Sequence, residues 1–126
     1  MHNARAAHRY RQVHVESATP ARLLDELFAR VLRRLSEAEG HIARRDAKAK
    51  GGALTEALAI VAELQAALDP ARAPEVCANL DQLYRFVQAR IVEASARMDA
   101  APLAEAARVI AVLREAFQQA ATQETP

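Results

Sequence analysis

The parts of this chain equipped to do chemistry are few: a histidine followed by arginines, His41-Ile42-Ala43-Arg44-Arg45, and a single cysteine, Cys77. A histidine with a cation one helical turn away suits phosphoryl transfer, because the cation holds the phosphate oxygens. Cys77 falls near a helix start, where the helix dipole favours a thiolate. No histidine is placed by the sequence to act as its base, and a free cysteine otherwise serves as a small buried hydrophobe. The remaining histidines, His2, His8 and His14, cluster at the N-terminus and are not paired with Cys or acidic residues at ligand spacing. There is no Glu-x-x-His, no glycine-rich phosphate loop and no nucleophile elbow. Neither a metal nor a cofactor is expected.

Whatever these residues do, helices must position them. With 126 residues the chain fits one domain. Hydrophobic residues make up 52% of it, against only three Gly and five Pro. Ala, Leu, Glu, Gln and Arg are the vocabulary of an all-α fold. Seventeen basic residues against sixteen acidic ones leave a net charge of +1, too weak a field to gather a polyanion, so no nucleic-acid partner is expected. The single cysteine excludes an internal disulfide and suits a reducing compartment. The N-terminal MHNARAAHRYRQ has no apolar run after its basic residues, so neither a signal peptide nor membrane insertion is expected. A cytoplasmic protein is anticipated.

Thr19-Pro20 opens the first helix, with threonine as a cap and proline at the first helical position. From there Leu24, Phe28, Val31, Leu35, Ala38 and Ile42 recur at steps of four and three, the spacing of one helical face. The patterns predict helices over about 20–44, 47–68, 74–98 and 101–121, with Asp46, Pro74 and Asp99-Pro102 as the later start signals. Residues 1–18 form a leader and 123–126 a disordered tail. Four long helices joined by short connections most economically form an antiparallel four-helix bundle.

The apolar faces are wide. Leu23, Leu27 and Leu32 flank the first stripe, Ile60 the second, Phe86 and Val92 the third, Val109 and Val112 the fourth. A bundle needs one stripe per helix. A thick core and a groove kept for an apolar guest both account for the surplus. A homodimer seam, as in a self-associating helical regulator, is a third use for it.

Read in order, the chain resembles the flagellin-specific export chaperones, the FliS family. The resemblance rests on Tyr10 and Val15 followed by SATPARLL, on EALAIVAELQAALD in the second helix, on NLDQLYRFVQARIVEA in the third and on LREAFQQA in the fourth. It extends from Tyr10 to Ala121. Departures are Ala7 and Phe28 in place of tyrosines and Phe117 where tryptophan is common. Histidine phosphotransfer domains, also four-helix bundles, are similar only in the His-x-x-basic segment, and His41 sits near a helix end where that role wants a position midway along.

The FliS resemblance implies a binding protein and not an enzyme. Its members clasp the disordered C-terminal segment of flagellin, keep it from polymerising and help deliver it to the membrane export gate, whose cytoplasmic domain is a further partner. On that reading the groove residues are Leu23, Leu27, Val31, Ile60, Leu64, Leu80, Tyr84, Val87 and Ile91. Tyr10, Val13 and Val15 of the leader plug the groove until the guest displaces them. The expected state is a monomer or weak homodimer.

Overall fold

The computed structural model describes residues 20–124, in which α1 spans Pro20–Ala43, α2 Ala47–Ala66, α3 Pro74–Arg97 and α4 Ala101–Glu124. No strand occurs among the described residues, and the fold is an all-α four-helix bundle. Thr19 and the leader lie outside the described residues. Residues 123 and 124, assigned to the tail by the sequence reading, continue α4, since TQE contains no glycine or proline to stop a helix.

Local chemistry sets each corner. Arg45 takes the left-handed conformation at φ 59° and breaks α1. Asp46 then opens α2, its Oδ1 accepting from the Ala49 amide at 3.1 Å. Pro74 stands at the start of α3, which has no side-chain cap. Met98, at φ 51°, closes α3 by donating its amide to the Ala94 carbonyl. Asp99 Oδ1 accepts from the Ala101 amide at 3.0 Å and starts α4.

Each helix packs on its two neighbours in the cyclic order α1–α2–α3–α4–α1. One cross-helix polar contact marks the register of every interface. Arg34 reaches Glu56 at 3.0 Å between α1 and α2. Gln65 donates to Asp81 at 2.7 Å between α2 and α3. Arg90 and Glu105 lie 3.7 Å apart between α3 and α4, and Arg114 contacts Asp25 at 2.8 Å between α4 and α1. Inside the ring Phe28, Val31, Leu35, Ala38 and Ile42 meet Leu54, Ala57 and Val61, then Tyr84, Val87 and Ile91, then Leu103, Ala106 and Ile110. The three-and-four spacing of the sequence is therefore the inward face.

The pattern draws the α3 stripe through Val76, Leu80, Leu83, Tyr84, Val87, Ile91, Ala94 and Met98 and the α4 stripe through Leu103, Ala106, Ile110, Leu113, Phe117 and Ala120, and at three of these places it reaches the surface. Val76 and Leu83 of α3 are exposed while Cys77, one position on from Val76, is buried. The α3 stripe is thus rotated by about one residue, or about 100°, at its N-terminal end. Ala120 is exposed in the last turns of α4.

The candidate binding cleft

The site follows from where α2 stops. Asp69-Pro70 disfavours further helix, and Ala67 caps α2 by donating its amide back to Glu63 and Gln65 carbonyls. The Arg34–Glu56 contact sets the antiparallel register of α1 on α2. In that register Leu27 lies opposite Glu63, and Leu23 lies opposite Ala67, just past the end of α2. The first turns of α1 thus face Glu63, Leu64 and Ala67 and then the end of the helix. A cleft of about 250 Å³ results, lined by Pro20, Leu23, Leu24, Leu27, Glu63, Leu64 and Ala67. A second hollow of about 370 Å³ along Ala59, Ala62 and Ala66 of α2 shares Glu63 and Ala67 with it.

The α1 wall of the cleft is braced from behind. Asp25 accepts from Arg114 Nε at 2.8 Å, from Arg114 Nη2 at 3.1 Å and from Gln118 Nε2 at 2.8 Å. The hydrogen bond from Arg114 is the main cause that holds the Asp25 carboxyl below its ordinary value, with Gln118 adding to it against the cost of burial. One turn on, Phe28 stacks on Phe117 with centroids 5.7 Å apart. On α2, Gln65 beside Leu64 donates to Asp81 and accepts from Gln88 at 3.1 Å. Gln65 is the leading cause that keeps Asp81 below the usual carboxylate range, followed by Arg85. Both walls are therefore braced by contacts to the neighbouring helices.

Of the nine groove residues expected from the sequence, Leu23, Leu27 and Leu64 meet in this cleft. Val31, Ile60, Tyr84, Val87 and Ile91 are buried in the core, and Leu80 is partly buried against it on α3. Tyr10, Val13 and Val15 lie outside the described residues. Pro20, Leu24, Glu63 and Ala67 complete the lining; the sequence reading made Pro20 a helix start and Leu24 part of the first stripe, and gave Glu63 and Ala67 no part. The available signal was the early α2 stop at Asp69-Pro70, which leaves everything opposite it short of a partner.

The residues with chemical potential sit elsewhere. His41 occupies the last turn of α1, its Nδ1 3.0 Å from Arg44 Nη2. A guanidinium is only a donor, so Nδ1 accepts and Nε2 carries the proton in the neutral ring. Cys77 is buried. No group of three or more His, Cys, Asp or Glu side chains able to hold a metal occurs among the described residues. No helix among them is long and apolar enough to cross a membrane.

The fold is an all-α four-helix bundle with a mostly apolar cleft between two of its helices. The chain belongs to the FliS family: the family model described as Flagellar protein FliS matches residues 1–124. It is 35% identical over 114 residues to the flagellar secretion chaperone FliSB of Pseudomonas aeruginosa, covering 87% of this chain and 90% of that one. Against the flagellar secretion chaperone FliS of Salmonella typhimurium it is 33% identical over 124 residues, covering 94% and 92%. The corresponding chaperone of Bacillus subtilis is 30% identical over 115 residues, covering 91% and 85%. The family is one of export chaperones for the flagellum and not of enzymes.

Proposed function

We propose that this protein is a cytoplasmic chaperone that seats an apolar stretch of the disordered C-terminal segment of flagellin in the α1–α2 cleft. There it keeps the client from polymerising and helps deliver it to the export gate. The observation carrying this reading is a cleft walled by Leu23, Leu24, Leu27 and Leu64 at the surface of the bundle. A cleft of about 250 Å³ holds a few aliphatic side chains, which a guest helix supplies at positions one turn apart. Of the groove residues expected from sequence, Leu23 and Leu27 are the direct contacts on this reading, with Leu64, buried at the cleft floor, and the other buried residues supporting them from below.

The leader has a matching role. Pro20, which directly follows the leader in sequence, lines the cleft. The ten residue steps from Tyr10 to Pro20 span at most roughly 36 Å, ample to fold back over it. Tyr10, Val13 and Val15 then shield the leucines until the client displaces them.

Calorimetric titration with a flagellin C-terminal peptide tests the reading. One-to-one binding is expected, weakened at least tenfold by Leu27→Glu with the helical circular dichroism unchanged. Deletion of residues 1–16 is expected to leave the bundle folded and the affinity undiminished. Absence of binding, or binding indifferent to Leu27→Glu, removes the cleft from the account; a large loss on deletion makes the leader a contact and not a plug.

A further inference from the structure

Two cations stand where local physics disfavours them, and both belong to the α1–α2 corner. Arg45 takes φ 59°, in the left-handed region that suits glycine and strains a residue bearing a Cβ. Lys48 lies in the first turn of α2, which holds no acidic residue and where the helix dipole opposes a positive charge. Both are exposed, as is Arg44, whose guanidinium contacts the His41 ring at 3.0 Å. None of the three has a carboxylate partner among the described residues. The carboxylate within the corner, Asp46, is committed to the Ala49 amide. Chains break local preference in this way where function requires it.

The α3–α4 corner lies at the same end of the bundle. Lys50, two residues past Lys48, donates to the Ser95 carbonyl at 3.0 Å and so joins the start of α2 to the last turns of α3. There Arg97 is exposed and pairs with Glu93 at 3.2 Å. Over residues 43–48 and 95–101, Arg44, Arg45, Lys48 and Arg97 stand against Asp46 and Asp99, an excess of two positive charges. The cleft end is the reverse. Residues 20–26 and 63–77 set Arg22 and Arg72 against five carboxylates, an excess of three negative charges. Each end of an antiparallel bundle has two helix starts and two helix stops, so the dipoles cancel and side chains set this asymmetry.

We propose that this basic end adsorbs on an anionic lipid bilayer, with Arg44, Arg45, Lys48 and Arg97 among the headgroups. A protein partner calls for an apolar anchor at the centre of its interface. The exposed large apolar side chains are Val76, Leu83, Phe86, Val92 and Val112, none of which falls within the two corners. Single-stranded nucleic acid calls for stacking aromatics, and the corners contain none. A plane of diffuse negative charge needs only exposed cations. Each cation held near such a plane raises partitioning about fivefold, and added salt removes the effect. Repulsion of the acidic end turns the cleft away from the bilayer.

Flotation of the full chain with vesicles of equal parts phosphatidylglycerol and phosphatidylcholine, in about 50 mM salt, tests this. Binding is expected there, absent on phosphatidylcholine alone and lost by about 0.5 M salt. Arg45→Gly and Lys48→Gln are each expected to weaken it about fivefold, and together about twenty-five-fold. Each substitution also relieves a local conflict, so neither should lower the melting temperature. No binding to the anionic vesicles overturns the inference and leaves the corner to an acidic protein surface. Binding indifferent to the double substitution overturns it as well, since the attraction then belongs to Arg5, Arg9 and Arg11 of the leader. Equally tight binding to single-stranded RNA at the same phosphate concentration does so too, because the corners then read phosphate and not a bilayer. A lowered melting temperature in both variants gives the two cations a structural role and has the same consequence. Neither substitution touches the cleft, so this result and that of the peptide titration are independent.

Discussion

Arg114 grips Asp25 with two nitrogens, at 2.8 and 3.1 Å, and so ties the first turns of α1 to α4 directly behind the cleft. Both side chains are about one-third exposed, at 34% and 32%. The pair is therefore partly screened, and its coupling is about 1 kcal/mol despite its bidentate geometry.

The Asp25 carboxyl is held below its ordinary value in the folded state, chiefly by the Arg114 hydrogen bond. Its contribution to stability is present above the unfolded-state pKa and is lost as pH falls through the lower folded value. Urea midpoints of the native chain and Asp25→Asn are expected to differ at pH 7 and converge toward pH 3. A constant difference across that range contradicts the assignment.

The helical glycines Gly51 and Gly52 have open space where a Cβ would stand, with nothing within 4 Å, and neither has a positive φ. Alanine there removes unfolded-state freedom without a clash. Gly51→Ala and Gly52→Ala are each expected to stabilise the bundle by about 0.5–1 kcal/mol, read as a raised melting temperature. A fall in either variant shows that these turns of α2 are not helical in solution.

Tyr84 is buried, and burial pushes its phenol up to about 12 from the ordinary value of 10.0. Between those values the native state keeps a proton that the unfolded chain releases. Stability thus declines as pH rises from about 10 toward 12. Absorbance titration at alkaline pH should show delayed ionisation for one of the two tyrosines. Tyr84→Phe should retain the fold and lose that part of the alkaline decline.

Lys50 is a buried cation inside an apolar seam, at 9% exposure, and it donates to the Ser95 carbonyl at 3.0 Å and to the Ser95 hydroxyl at 3.2 Å. Ser95 lies in the last turn of α3, where carbonyls lack helical partners and a positive charge is favoured. Lys50→Met keeps the volume but removes the donor, and is expected to cost about 1–2 kcal/mol by denaturant unfolding. Lys50→Glu should cost more, since an anion then faces the same carbonyl. Equal stability of the native chain and both variants would show that this contact carries no weight.

Phe28 and Phe117 report on the cleft's foundation. Phe28 is fully buried whereas Phe117 is only partly so. Phe28→Ala is expected to cost about 3–5 kcal/mol and Phe117→Ala less, with a double-mutant coupling of about 1 kcal/mol from the stacked rings. Thermal unfolding of the two single variants and the double variant measures each quantity.

The sequence by itself determined the four helices and their inward faces. Periodicity at three and four residues, Asp46 and Asp99 as caps, and the proline starts act over one or two turns, so they are readable without any neighbour. Pattern also marked Leu23 and Leu27 as surplus to a single stripe. Only tertiary structure decided which surplus residues are covered. Ile60 is buried and Val92 exposed although both flank their stripes, because the fate of a flank depends on the register and length of the adjoining helix. Here α2 ends opposite the first turns of α1, and that offset opens the cleft at Leu23, Leu24 and Leu27. An offset between helix ends is a property of two segments packed together, which no periodicity within either one encodes.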